Sequence, residues 1–191
     1  MTVQQITKKT YADLQALDLL EGDTGIYELI QGEIMRRASP NTPHQLVSGA
    51  LFLLMGNFNA QKQAGYLFHV PYDVYFDEHN AGIQPDILFV RRERSSILRE
   101  DNGVVGAPDL IVEILSKSTV ARDRGIKKDL YEQFGVREYW IVDPQARSIE
   151  VYALENDRYR LVDYAAEEGT VASKVLEGLT VEVGEVYGGN P

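Results

Sequence analysis

Two acids stand where acids are costly. Asp86 lies in the apolar run Ile83-Gln84-Pro85-Asp86-Ile87-Leu88-Phe89-Val90, and Glu113 lies in Asp109-Leu110-Ile111-Val112-Glu113-Ile114-Leu115. An ionised carboxylate in such a strand gives up its hydration, so a cation or hydrogen bonds must replace it. A single acid of this kind is accounted for by an ion pair or a capped backbone group. Two of them, near the ends of strands expected to be neighbours, point to a site. Carboxylate pairs are the donors that hard divalent cations choose, which here means Mg²⁺ or Mn²⁺. Lysines follow close by: Lys117 in the segment after Glu113, then Lys127 and Lys128 in the next helix. A metal-binding carboxylate pair, with a lysine for the charge developing on phosphate, is the minimum for metal-assisted phosphodiester cleavage. Asp109 is a decoy, because it shares a strand with Glu113. At about 3.3 Å per residue the two lie roughly 13 Å apart, too far for one ion.

These residues need elements to position them. Thr10-Tyr11-Ala12-Asp13 reads as a helix start with a capping-box-like acid, leading into Leu14, Leu19 and Leu20. Ile26–Ile30 and Glu33–Arg37 read as strands joined by a Gln31-Gly32 turn. Thr42-Pro43 opens a second helix with the stripe Leu46, Val47, Ala50, Leu51, Leu54 and Phe58, and Gly65 is a natural terminator. Strand-like runs follow at Tyr66–Val70, Asp73–Phe76, Ile83–Val90 and Asp109–Leu115, the last reading as buried on both faces. Asp123–Phe134 is expected to be a helix closed by Gly135, then a strand at Glu138–Val142 and a hairpin at Ser148–Ala153 and Arg158–Tyr164. Tyr139-Trp140-Ile141-Val142 reads as core, and the 11 tyrosines are too scattered to suggest base stacking. The order implies an α/β domain with a mixed sheet flanked by helices and extra C-terminal strands.

Length and composition bound the alternatives. The 191 residues suit a single domain over 1–191, with the 148–187 region part of it. The net charge of −10 excludes an even positive film for wrapping nucleic acid, although a local basic groove stays possible. The charge is uneven, with nine acids and three bases from Glu150 onward. Lys117–Arg137 carries six bases against three acids, and Arg91–Arg99 four against one. Cysteine is absent, which removes disulfides, thiolate nucleophiles and cysteine-ligated metals and fits a cytoplasmic setting. No signal peptide or membrane span is read, and the 188–191 tail is expected to fray.

Pro85-Asp86, followed 27 residues later by Glu113, resembles the split acidic signature of PD-(D/E)XK nucleases. More of the chain resembles one branch of them, the Uma family of restriction-endonuclease-like proteins. The resemblance runs through Tyr27–Ile34, Ser39-Pro40 with His44, Gln84–Val90, Gly106–Ser116, Asp123-Arg124-Gly125 with Lys127 and Tyr131, and Gly135–Pro144. It covers about residues 10–155 and rests on the order and spacing of the pieces together. It implies a restriction-endonuclease-like fold with Asp86 and Glu113 as metal ligands. The lysine expected two residues after Glu113 is Leu115 here, and the resemblance moves that role to Lys127 on the following helix. Lys117 is its rival. Glu28 or Glu33 would supply a third carboxylate, and Glu33 is the one expected. His44, in the first turn of the second helix, is expected to contact phosphate or water, since imidazole suits Mg²⁺ poorly.

The combined reading is a Mg²⁺- or Mn²⁺-dependent endonuclease, a hydrolase of DNA phosphodiester bonds, with Asp86, Glu113, Lys127, Glu33 and His44 in its catalytic site. Arg91–Arg99 and Lys117–Arg137 would contact DNA phosphates, and a homodimer would cut both strands. The rivals are a catalytically inactive interaction module on the same fold and a phosphoesterase acting on small nucleotides.

Overall fold

The computed structural model describes residues 8–17, 27–37, 39–100 and 103–188. Leu19, Leu20, Ile26 and the tail residues 189–191 fall outside them. The chain runs through α1 (Tyr11–Leu17), β1 (Tyr27–Ile30), β2 (Glu33–Arg36), α2 (Thr42–Lys62), β3 (Gly65–His69), β4 (Val74–Tyr75) and β5 (Ile87–Arg91). It continues with β6 (Leu98–Arg99), β7 (Gly103–Val105), β8 (Leu110–Ile114), α3 (Val120–Arg122), α4 (Lys128–Gln133) and β9 (Glu138–Asp143). It ends with β10 (Ser148–Glu155), β11 (Arg158–Ala166), β12 (Thr170–Ala172), β13 (Thr180–Glu182) and α5 (Val183–Tyr187).

The centre is a six-stranded mixed sheet of order β11-β10-β9-β8-β5-β3. Only β8 and β9 run parallel, and the other neighbours are antiparallel. Strand alternation sends its side chains into two cores. Ile87, Phe89, Val112, Trp140 and Val142 join Val47, Leu51 and Met55 of α2 and the C-terminal Val171, Leu179 and Tyr187 on one face. Leu88, Val90, Ile111, Tyr139 and Ile141 meet Leu130 and Tyr131 of α4 on the other. This is the expected mixed sheet between helices.

Several boundaries differ from the expectation, each for a local reason. α1 begins as expected, with Thr10 N–H donating to Asp13 Oδ2 at 2.8 Å. The cap of α2 is Asn41 rather than Thr42: its side chain accepts from His44 N–H at 3.0 Å. That helix ends at Gln63 in the left-handed region (φ 52°), before Gly65. The expected strand 83–90 is shortened to Ile87–Arg91. Pro85 lacks a donor, and the Gln84 N–H is taken by the Glu28 carboxylate at 3.0 Å. The expected helix 123–134 starts earlier, at Val120, and contains a π turn over Asp123–Lys127. Gln31 (φ 53°) and Gly32 (φ 82°) make the expected tight turn between β1 and β2. The elements β12, β13 and α5 carry no early sequence signal and complete the first core.

Gly65 is needed for a close approach. A Cβ there would stand 2.2 Å from the Val90 carbonyl oxygen and 2.7 Å from the Phe89 ring. Both obstacles belong to the central strand β5 and cannot step aside. Gly65→Ala is expected to destabilise the chain by about 2 kcal/mol or more, read as a lower urea midpoint with an unchanged slope. A midpoint equal to the parent's would show that β3 is free to shift.

Candidate active site

The register of the central strands brings the two acids together. β5 pairs Ile87 with Val112, Leu88 with Ile111 and Phe89 with Leu110. One step further along the same register sets Asp86 opposite Glu113. Residues directly opposite on antiparallel strands have Cβ atoms about 4.5–5.5 Å apart on one face. At that step the ladder is replaced by a side chain: Asp86 Oδ2 accepts from Ile114 N–H at 2.8 Å.

Cations arrive from three further elements. Arg37, after β2, donates to Asp86 Oδ1 and to the Gln84 carbonyl oxygen, the latter at 2.6 Å. His44 Nε2 lies 3.1 Å from Asp86 Oδ2. Lys127, at the end of the π turn, donates to Glu113 Oε1 at 2.9 Å and to Glu28 Oε1 at 3.0 Å. Tyr131, one turn later, donates its hydroxyl to Glu113 Oε1 at 2.6 Å. Arg122 Nη1 stands 3.9 Å from Glu28 Oε2. Glu28, Asp86, Glu113, Asp123 and Lys127 are all buried, at 0–3% exposure. Asp86, Glu113, Asp123, Lys127, Arg37 and His44 line a cavity of about 20 Å³. That is room for one or two water-sized occupants.

Burial raises the pKa of every carboxylate here, and the partners decide the outcome. For Asp86, the hydrogen bond and charge of His44, the Arg37 charge and the Ile114 N–H outweigh burial and hold it below its ordinary value. For Glu28, the Lys127 ammonium and the Gln84 N–H do the same. Glu113 goes the other way. Burial, opposed by Lys127 but reinforced by Asp123, Asp86 and Glu28, pushes it up to about 8. Burial also pushes Asp123 up. Burial works against the charge on Lys127, but Glu113, Glu28 and Asp123 outweigh it and keep the ammonium protonated. Within one cluster Asp86 and Glu28 are thus held down while Glu113 and Asp123 are pushed up.

The predicted site residues separate cleanly. Asp86, Glu113, Lys127 and His44 converge. Glu33 does not: it is exposed on β2, and Glu28 enters the cluster in its place. The turn is the reason, because it carries the chain past the site and leaves Glu33 on the outer arm. His44 meets Asp86 rather than open solvent. Lys117 is exposed in the loop after β8 and lies outside the carboxylate cluster. Asp109 sits at the far end of the sheet, with Arg94 Nη1 at 3.0 Å from its Oδ1 and the Arg91 N–H donating to Oδ2 at 2.9 Å. The Arg91–Arg99 stretch thus starts about 16 Å from Asp86 along β5, at about 3.3 Å per residue. Its Arg91 and Arg94 pair with Asp109 at that end of the sheet. Within Lys117–Arg137, Arg124 is taken by Glu150 at 2.6 Å and Lys128 stacks on Tyr152.

Sequence reading missed Arg37, Arg122 and Asp123 as members of the cluster. Asp123 could have been suspected from its place one helical turn before Lys127. Arg37 gave no signal, since its partner lies 49 positions away.

A mixed sheet between helices, bringing two strand acids and a helix lysine into one cavity, defines a restriction-endonuclease-like protein. The chain belongs to the Uma2 family, described as "Putative restriction endonuclease", whose model matches residues 11–184. Its fold is similar to the crystal structure of a "putative nuclease belonging to DUF820" from Anabaena variabilis. The two share 19% identity over 85% of this chain and 89% of that one, with a TM-score of 0.65. No curated protein matches the chain.

The raised pKa of Glu113 has a sign that can be checked. Below about pH 4.5 the carboxyl is protonated folded and unfolded, and its full contribution is present. As pH rises toward 8 the unfolded chain ionises while the folded site holds its proton, so stability is lost across that window. Glu113→Gln keeps an oxygen for Lys127 and Tyr131 and removes the titration. In chelator its melting temperature is expected to match the parent's near pH 5 and exceed it by several degrees at pH 8. A gap that does not change with pH would remove Glu113 as the proton holder.

Proposed function

We propose that the chain is a metal-dependent endonuclease that hydrolyses DNA phosphodiester bonds at the Asp86–Glu113–Lys127 cavity. The observation that carries this reading is the convergence of two hard carboxylate donors and a buried ammonium on one small cavity. Asp86 and Glu113 suit a hard divalent cation such as Mg²⁺ or Mn²⁺. Both bonds to Glu113 fall on Oε1, so its second oxygen is left for a ligand. Among the described residues no group of three or more His, Asp or Glu is arranged to hold an ion. Mg²⁺ commonly takes one or two carboxylates and fills its other positions with water and substrate phosphate. When bound, such an ion supplies Lewis acidity toward phosphate and lowers the pKa of water.

The remaining work falls to the chain's own groups. An ammonium has three donors, and Lys127 spends two on Glu113 and Glu28. The third is available for the charge that grows on phosphate oxygens. Its position is fixed by burial, so little reorganisation is needed. Arg37 and His44 hold Asp86 ionised and oriented, and Tyr131 fixes the orientation of Glu113.

One observation favours the rival reading of an inactive interaction module: each site carboxylate already has a cation, Arg37 on Asp86 and Lys127 on Glu113 and Glu28. Plasmid nicking with Mg²⁺ and Mn²⁺ separates the two readings. Asp86→Asn and Lys127→Met are each expected to slow cleavage by roughly 10²–10³. Lys127→Met also orphans two buried carboxylates, at a cost of about 3–5 kcal/mol, so its rate is measured below its melting point. Adding Glu28→Gln should recover stability without recovering cleavage. A parent that shows no cleavage with either ion would leave the interaction module.

A homodimer belongs to the same reading, since cutting both strands takes two sites. α2 supports it: no Asp, Glu, Lys or Arg occurs from Thr42 to Gln61, and Leu46 and Leu53 are 39% and 63% exposed. Two chains of net charge −10 meet with least repulsion on such a face. Leu53→Glu is expected to shift the sedimenting species from dimer to monomer. A monomeric parent would end the proposal.

A further inference from the structure

A second and larger cavity, about 550 Å³, adjoins the acid cluster. Ser116 lines both. Its walls are the start of α2, the loop after β8, the first residue of α3 and the loop after β9. β8 and β9 run parallel, so both loops leave the sheet at the same end, beside Asp86 and Glu113. Crevices outside the carboxyl ends of parallel strands are the usual place for ligands in α/β sheets. The volume falls within the roughly 300–1,000 Å³ of small-molecule sites.

The chemistry of the walls is divided. Pro43, Leu115, Val120 and Pro144 give apolar surface, one proline from the first turn of α2 and the other from the loop after β9. Lys117 and Ser116 give a cation and a hydroxyl. Asp143 also lines the space, but its Oδ1 is turned into its own loop, accepting from Gln145 N–H at 2.9 Å and Ala146 N–H at 3.1 Å. Among the described residues Lys117 has no ion-pair partner. A flat apolar group and a phosphate joined together match such a space.

We propose that this cavity binds the nucleotide unit adjoining the scissile phosphate, with the base against Pro43, Val120 and Pro144 and the neighbouring phosphate at Lys117. The proposal rests on the nuclease reading for the word scissile, but the nucleotide site itself is tested without cleavage. Lys117 is then a substrate-binding residue. Its loss should raise KM and leave kcat nearly unchanged, whereas a residue acting in the transition state lowers kcat.

The experiment is calorimetric titration of the full chain, in chelator at low ionic strength, with deoxythymidine 3′,5′-bisphosphate and with inorganic phosphate. The bisphosphate is expected to bind at least about 10-fold tighter than phosphate. Lys117→Ala removes the charge and Val120→Trp fills the space. Each should weaken nucleotide binding by roughly 10-fold or more, the loss expected for one charge-assisted contact or a blocked pocket. Both positions are at the surface, and unchanged melting of the variants confirms their folding. Absence of saturable nucleotide binding, equal affinity for phosphate and nucleotide, or parent-like binding by both variants would each overturn the site. A parent that binds the nucleotide but cuts nothing would remove the nuclease reading and leave this site standing.

Discussion

A buried ammonium held between two buried carboxylates governs the rest of this structure. Lys127 donates to Glu28 and Glu113, and all three are at most 3% exposed. Taking each ion out of water costs several kcal/mol, and mutual attraction repays this only when geometry is good and the other hydrogen bonds are made. The helix must therefore deliver Lys127 to one point. The π turn over Asp123–Lys127 does so, and such turns recur at functional sites because the extra residue per turn redirects a side chain. Tyr131 follows at the distance of one helical turn and adds a second bond to Glu113 Oε1.

The second constraint is strand register. Because β5 and β8 pair antiparallel with Ile87 against Val112, the acids that follow in register face each other. A slip of one residue would send Glu113 to the other face, into the core built by α2. The six-stranded sheet thus does more than bury apolar surface. It sets two like charges close together, and Arg37, His44 and Lys127 are the counterweight. Burial, with the charges of Asp123, Asp86 and Glu28, still pushes Glu113 up to about 8.

Two other buried acids show what a purely structural carboxylate looks like. Glu138, at the start of β9, accepts from the Trp140 ring N–H, the Ser173 hydroxyl and the backbone N–H groups of Lys174 and Val175, at 2.5–2.8 Å. It clasps the C-terminal segment to the sheet. Asp109 is surrounded by Arg91, Arg94 and Arg137. Both lie at the end of the sheet away from Asp86 and Glu113, and neither lines the small cavity. Burial alone does not mark a site. An acid whose oxygens are spent on the backbone differs from one that shares a cation with other acids beside open space.

The mixed α/β order, the apolar strands, the core run Tyr139–Val142 and the misplaced acids Asp86 and Glu113 were legible in the amino-acid sequence, because hydrophobic periodicity and the cost of a charge in an apolar run are local properties. The ordered motifs also carried the family resemblance, and with it Lys127. The choice of Glu28 over Glu33 was not legible, since both flank one turn and only the docking of that hairpin decides which faces inward. Arg37 stood in an unremarkable polar stretch, and its role exists only through a carboxylate 49 positions away. Arg91–Arg99 looked like a phosphate-binding patch, and the fold spends Arg91 and Arg94 on Asp109 at the far end of the sheet. Residue types determined which groups had to find partners. The partners themselves were decided by tertiary structure, because an ion pair depends on distance in space, and short-range sequence patterns do not encode that distance.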